Sequence, residues 1–318
     1  MEQTNGQSSS FPLLTIFESE NLGRRYDKFR LQGVSAHICA GEITGLVGEN
    51  GSGKTTFLRM IVGEIAHNEG SLDYPQFPDE WHLRKQQIAY IPQELAVWYG
   101  TLKENLHYAA TLHGFYGSEN EANVAVVVAR LGLQEHINKR WSELSGGYKL
   151  RVALAKALVW QPRLLIIDEP LANLDINTQL LLLNDLRSMS RHPEHPIAVL
   201  LSSQHLEEIE LYAENVIMVQ TGEVVYSGKT ADIAQNRREN VYELAAEISL
   251  PDLQKSLISL GATAVHNGKY FIITTPVAVE AAAFLLHLLQ NGITPHHFKN
   301  ISQSIKRFFN GYSNASAS

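Results

Sequence analysis

The chain is nearly free of cysteine: its 318 residues include one, Cys39. An internal disulfide is therefore impossible, which fits a reducing compartment. Cys39 ends the alternating stretch Val34-Ser-Ala-His-Ile-Cys39 and is expected to be a small, buried, apolar side chain. Long hydrophobic runs are missing as well. A membrane-spanning helix needs roughly 18–20 apolar residues in succession, and the nearest approach, Val277 to Leu289, is shorter and interrupted by Glu280 and His287. The opening MEQTNGQSSS lacks the basic-then-apolar order of a secretory leader. The chain is thus expected to be soluble, with any work at a membrane done through a partner. Basic excess is absent too: 26 Lys and Arg against 33 Asp and Glu give a formal net charge of −7. That leaves no electrostatic footprint for nucleic acid or anionic lipid, and no nucleic-acid partner is expected. No internal repeat is visible.

What is present is ordinary globular composition, 44% hydrophobic and 19% charged, over a length that suits about two domains of ~150 residues. One stretch stands out, Gly48-Glu-Asn-Gly-Ser-Gly-Lys-Thr-Thr56. It fits G-x-x-x-x-G-K-[ST] with Gly48, Gly53, Lys54 and Thr55 at the fixed places. Glu42 to Val47 before it reads as a short apolar strand, and Thr56 to Val62 after it has helical spacing. Glycines let successive N–H groups curl toward phosphate oxygens, and the helix start adds the positive end of its dipole. Asn50, Gly51, Ser52 and Thr56 complete the cradle. Lys54 supplies a point charge for the β- and γ-phosphates, and the Thr55 hydroxyl can ligate Mg²⁺. A nucleoside triphosphate is expected here, although kinases, GTPases, helicases and transporter engines share the loop.

Farther along, Leu144-Ser-Gly-Gly-Tyr148 resembles the LSGGQ signature of ATP-binding cassette proteins, and other elements of that family lie in the expected order across residues 13–230. The resemblance, to the ATP-binding subunit of an exporter-like transporter, implies a role for each matching residue. Tyr26, in Arg24-Arg-Tyr-Asp27, matches the aromatic that stacks on adenine. Gln93, in Tyr90-Ile-Pro-Gln93, matches the glutamine that senses Mg²⁺ and the attacking water. Asp168, ending Arg163-Leu-Leu-Ile-Ile-Asp168, matches the carboxylate that holds Mg²⁺, and Glu169 the catalytic base. Asp175 matches the aspartate that crosses the dimer interface, and His205, in Ser203-Gln-His-Leu206, the histidine that contacts the γ-phosphate. Ser145, Gly146 and Gly147 form a second phosphate cradle, which by resemblance serves the ATP of another subunit. Tyr148 stands in place of the usual glutamine and Ile176 in place of a frequent proline; neither change removes a reactive group, so a competent ATPase is expected.

The expected fold is α/β: a phosphate-loop ATPase with an antiparallel β subdomain and a helical signature subdomain, followed by a small α+β domain. The boundaries expected are a lead at 1–12, the ATPase domain at 13–232 with its helical part at about 95–160, a linker at 233–242, the C-terminal domain at 243–310 and a tail at 311–318. Leu13 to Phe17 and Leu31 to Ile38 read as strands around a polar connection, Asn21 to Lys28. Helical periodicity marks Leu102 to Tyr108, Ala122 to Leu133, Gly147 to Trp160 and Gln179 to Met189; Ile197 to Leu201 reads as a buried strand. Past the linker, Ala246 to Leu250 and Tyr270 to Thr274 read as strands, Leu253 to Leu260 and Val277 to Gln290 as helices, with a last helix ending at Phe308. That order suggests the split βαβ arrangement.

The resemblance implies a subunit that binds ATP and Mg²⁺, dimerises head to tail around two ATP, and drives a permease carried on another chain, from the cytoplasmic side of the membrane. Export is implied by Thr101-Leu-Lys-Glu-Asn-Leu106 with Gly114, similar to a run in multidrug, bacteriocin and haem exporter ATPases, and by the C-terminal domain. Val97-Trp-Tyr99 offers aromatic surface for a permease to dock on. The alternative is a soluble ATPase of the same superfamily acting in translation, repair or cofactor assembly. His287, His296 and His297 lack the cysteines or paired carboxylates of a metal site.

Overall fold

The computed structural model describes residues 14–172, 174–204, 206–235 and 239–302. His205, the lead, the helix expected to end at Phe308 and the tail lie outside them. The described residues fall into two units, one running to Gln204 and resuming over Leu211–Gly228, the other taking Leu206–Glu210 and the chain from Lys229 onward.

The first unit opens with two long paired strands, β1 (Thr15–Arg25) and β2 (Arg30–Cys39). The polar piece expected to connect strands is in part strand itself. Register shifts on both sides of Leu22 let Glu20 and Asn21 face out while Leu22 stays buried, so β1 continues to Arg25. Alternation also corrects Cys39. Val34, Ala36 and Ile38 take the buried face of β2, which puts Cys39 on the other one. It is half-buried, with Sγ 4.0 Å from Thr15 Oγ1, and burial raises its pKa.

The chain continues through β3 (Ile43–Val47), α1 (Lys54–Ile61), β4 (Glu69–Asp73), α2 (Trp81–Lys85) and β5 (Ile88–Ile91). The helical region follows as α3 (Leu102–Leu112), α4 (Gly117–Arg130) and α5 (Gly146–Leu158). Thr101 starts α3 with a reciprocal cap: its side chain accepts from Glu104 N–H while the Glu104 carboxylate accepts from Thr101 N–H. Then come β6 (Leu164–Ile167), α6 (Ile176–Ser190), β7 (Ala198–Ser203), α7 (Leu206–Tyr212), β8 (Asn215–Gln220) and β9 (Glu223–Lys229). Strands β8 and β9 are joined by Thr221-Gly222, both left-handed, as a two-residue hairpin turn requires.

The nine strands form one sheet, β4-β1-β2-β9-β8-β3-β7-β6-β5. Its β4-β1-β2 end is antiparallel, and β8-β3-β7-β6-β5 is parallel. Every residue of β3, β6 and β7 is buried, the continuous apolar pattern of strands covered on both faces. All five parallel strands therefore end on one side, where an α/β sheet opens its ligand crevice.

The second unit adds α8 (Thr230–Gln235), β10 (Glu239–Ala246), α9 (Leu250–Leu257), β11 (Thr263–His266), β12 (Phe271–Pro276), α10 (Ala281–Gln290) and β13 (Pro295–Asn300). From β10 on, the order is β-α-β-β-α-β in an antiparallel sheet, β11-β12-β10-β13, which is the split βαβ arrangement. Tyr242, Leu244, Ile273, Phe284 and Leu288 fill its core. The first strand lies earlier than Ala246 to Leu250, within the polar stretch that composition marks as a linker. Asn240 explains why: it is 2% exposed, and its amide donates to the carbonyls of Val277 and Val279 at 3.0 and 2.8 Å.

Candidate functional site

The phosphate loop begins where β3 stops. Gly48 N–H donates to the Ser203 carbonyl at the end of β7, 3.3 Å away. A Cβ at Gly48 would strike the Val219 carbonyl and the Ser52 side chain, so no larger residue fits. Ser52 is buried and its Oγ has no partner. Asn50 is exposed, Gly51 is left-handed at φ 79°, and Thr56 is half-buried in the first turn of α1. Gly53 caps α1 at φ 111° with no side-chain cap. The first N–H groups of the helix are thus not taken by a capping oxygen, and such a terminus attracts an anion. An unpartnered buried hydroxyl and uncapped N–H groups, set beside Gly48, which admits no side chain, suit a polyphosphate.

Lys54 is 5% exposed. Its ammonium donates to the carbonyls of Gly48 and Glu49 at 2.8 and 3.2 Å and lies 3.2 Å from Glu169 Oε1. Thr55 Oγ1 donates to Asp168 Oδ2 at 2.8 Å, which ties the helix start to the end of β6. The other Asp168 oxygen accepts from Ser202 Oγ at 2.5 Å, and the same Oγ accepts from Glu169 N–H at 2.8 Å. Glu169 needs that anchor. Its φ of 48° is left-handed, a conformation that costs a side-chain-bearing residue roughly 1–2 kcal/mol. Glu169 Oε2 accepts from two carboxamides, Gln93 Nε2 at 3.0 Å and Gln204 Nε2 at 2.8 Å.

Lys54, Thr55, Gln93, Asp168 and Glu169, read from the sequence, thus meet at the ends of β3, β5, β6 and β7. Ser202 and Gln204 join them unannounced. Ser202 looks like the polar end of an apolar strand, and its complete burial is the signal that it matters. Thr55, Asp168 and Gln93 offer the oxygen donors that a hard divalent ion such as Mg²⁺ takes.

Tyr26 stands in the turn between β1 and β2, 42% exposed, with the Arg24 guanidinium 5.3 Å from its ring centre and Phe29 at 6.4 Å. Phe29 in turn packs where a Gly53 side chain would lie, so the turn leans on the phosphate loop. Ser145, Gly146 and Gly147 open α5, with Ser145 and Gly146 exposed and no side-chain cap. Asp175 caps α6 by accepting from Thr178 N–H at 3.1 Å, and the Thr178 methyl is what a Gly147 side chain would meet. These residues form a second cluster, distinct from the one around Lys54. Tyr148 stacks on His136, with ring centres 3.9 Å apart.

The family model described as ABC transporter matches residues 31–172. The phosphonates import ATP-binding protein PhnC 2 of Oceanobacillus iheyensis is 30% identical over 247 residues, covering 72% of this chain and 96% of that protein. The Nod factor export ATP-binding protein I of Rhizobium etli is 30% identical over 225 residues, covering 69% and 70%. Among solved structures, cbiO1 of Clostridium perfringens, part of the ABC transporter complex cbiONQ, superposes with a TM-score of 0.64 at 25% identity, covering 70% of this chain and 91% of that one. A phosphate loop at the carboxyl ends of parallel strands, with a carboxylate pair beside it and relatives matched over most of their length, gives one answer: the chain belongs to the ABC transporter ATP-binding family, whose members hydrolyse ATP to power transport.

Proposed function

We propose that two copies of this chain close head to tail around two ATP and drive a permease on a separate chain, in the direction of export. The observation that carries the reading is the meeting of Lys54, Thr55, Gln93, Asp168 and Glu169 around one loop. Lys54 and the loop N–H groups hold the β- and γ-phosphates, and Ser52 offers a further donor. Thr55, Asp168 and Gln93 hold Mg²⁺, which neutralises charge on the phosphates when bound. Glu169 takes the proton of the attacking water, a role worth about 10²–10⁴-fold in rate. Tyr26 stacks on the base. Ser145, Gly146, Gly147 and Asp175 serve the ATP of the partner copy; the exposure of Ser145, Gly146 and Asp175 and the uncapped start of α5 suit a phosphate arriving from outside.

The permease has a place to dock. A groove of about 380 Å³ between β5, α3 and α5 is lined by Tyr90, Trp98, Tyr108, Leu112, Lys156 and Trp160. Val97 and Tyr99 project beside it, 71% and 92% exposed. Trp98, half-buried, lines the groove and also packs on Trp141, with ring centres 4.7 Å apart. Among the described residues no helix is long and apolar enough to cross a membrane. In this reading the chain works from the cytoplasmic face through its permease. Export rests on the Thr101 to Gly114 run and the C-terminal domain, since the relatives named above serve opposite directions. A soluble client has no observation in its favour.

Affinity purification of the Glu169→Gln chain with ATP from detergent-solubilised membranes tests the reading. Co-purification of a multi-span membrane protein in near-equal amount supports it. Recovery of ribosomes, soluble assembly factors or the chain alone overturns the permease and moves the work to a cytosolic client.

A further inference from the structure

We infer that Gln204, the neighbour of His205, is the side chain at the end of β7 that positions Glu169 for catalysis. The inference rests on the reading of Glu169 as the general base. Its ground is a direct contact: Gln204 Nε2 lies 2.8 Å from Glu169 Oε2. Ser202, two residues earlier, reaches Asp168 Oδ1 and Glu169 N–H. Gln204 is the first residue past β7, so the end of this strand brings one hydroxyl to the Asp168 carboxylate and the Glu169 N–H, and one carboxamide to the Glu169 head group. Gln93 donates to the same Oε2 from the end of β5, at 3.0 Å.

The division of labour between the two carboxylate oxygens follows. Oε1 faces the Lys54 ammonium at 3.2 Å, and a phosphate group competes for that ammonium. Oε2 is held by two amides that have no part in binding phosphate in this arrangement. When Lys54 turns to a phosphate, Gln93 and Gln204 keep the carboxylate in place and leave Oε1 to face the water. The proton passes from that water to Glu169; Gln204 donates a hydrogen bond throughout and exchanges no proton. A carboxamide does this at any pH, whereas an imidazole changes its charge between about pH 6 and 7.

The experiment is steady-state ATP hydrolysis by the full chain and its variants, with kcat and KM separated and each variant's fold checked by tryptophan fluorescence. Gln204→Ala is expected to lower kcat by about 10–100-fold, the effect of a misplaced catalytic group, with KM for ATP within about threefold. Adding Gln204→Ala to Glu169→Gln is expected to cost nothing further, because groups that act as a unit are not additive. Gln204→His is expected to recover part of kcat and to change the kcat–pH profile in the imidazole range relative to the unsubstituted chain. It also carries the comparison if Gln204→Ala folds poorly. A Glu169→Gln chain that hydrolyses ATP at the full rate overturns the base assignment itself. If Glu169→Gln is inactive while Gln204→Ala retains full kcat, Gln204 alone is overturned.

Discussion

Ser202→Ala probes the least conspicuous member of the site. Ser202 is fully buried and makes two hydrogen bonds with one oxygen, donating to Asp168 Oδ1 and accepting from Glu169 N–H. The bond to an ionised carboxylate is worth about 1.5–3 kcal/mol, and a backbone N–H left without a partner costs about 1–3 kcal/mol. Some of this overlaps, since Glu169 N–H gains water if the backbone shifts. A loss of about 3 kcal/mol is expected, which at a slope of about 3 kcal/mol per molar moves the urea midpoint down by roughly 1 M. Tryptophan fluorescence reads this cleanly, because Trp81, Trp98, Trp141 and Trp160 all belong to the first unit. ATP turnover is expected to fall as well, since the substitution releases the left-handed backbone that aims Glu169. A midpoint unchanged within the error of the fit, together with full turnover, would refute the claim that Ser202 anchors the carboxylate pair.

Other substitutions test separate parts of the site. Gly53→Ala places a Cβ 2.9 Å from Phe29 Cζ at a φ of 111°; a destabilisation of at least about 1 kcal/mol and a loss of ATP binding by calorimetry are expected, and an unaffected chain would mean the loop relaxes freely. Tyr26→Ala is expected to weaken nucleotide binding by about 1–3 kcal/mol, the worth of one stacked base, equally for ATP and GTP; a selective loss of one would point to edge recognition instead. His113 lies flat on Trp160, with ring centres 3.9 Å apart and Nδ1 buried without a partner, and burial depresses its pKa. The unfolded chain therefore binds this proton more readily. Stability is full above an ordinary imidazole pKa of about 6.5 and erodes as pH falls below it toward the depressed folded value. Urea midpoints at pH 7.5 and 5.5 are expected to lie closer together in His113→Phe than in the unsubstituted chain; an equal gap in both would assign the acid sensitivity to other groups.

What could be read from the residues was whatever carries its signal locally. The loop from Gly48 to Thr55 announces itself by glycine spacing and flanks, and Leu164 to Ile167 by an apolar run that leads into a carboxylate pair. Gln93 and Asp168 were legible because a resemblance supplied their roles. Ser202 and Gln204 were not, since their importance lies in contacts with residues more than thirty positions away that no periodicity encodes. Cys39 was misjudged because burial was inferred from an apolar neighbourhood, while the two-residue alternation of β2 gives the inside face to Ile38. In the second unit, β13 reads Pro-His-His-Phe-Lys-Asn, with Phe298 alone packed against the core. An edge strand with one inward apolar residue looks like a loop until its partner β10 is known.

The Lys54–Glu169 pair gives nucleotide binding the character of an exchange. Before a phosphate reaches it, the ammonium already holds two carbonyls and a carboxylate, so the affinity measured for ATP is the gain of a new partner less the loss of an old one. A chain with a weaker internal competitor binds ATP more tightly without making any new contact to it. Glu169→Gln is such a chain, because an amide attracts an ammonium less than a carboxylate does. Its grip on ATP therefore combines slowed turnover with a lightened competition, and a non-hydrolysable nucleotide separates the two: tighter binding that persists with the analogue measures the competition alone.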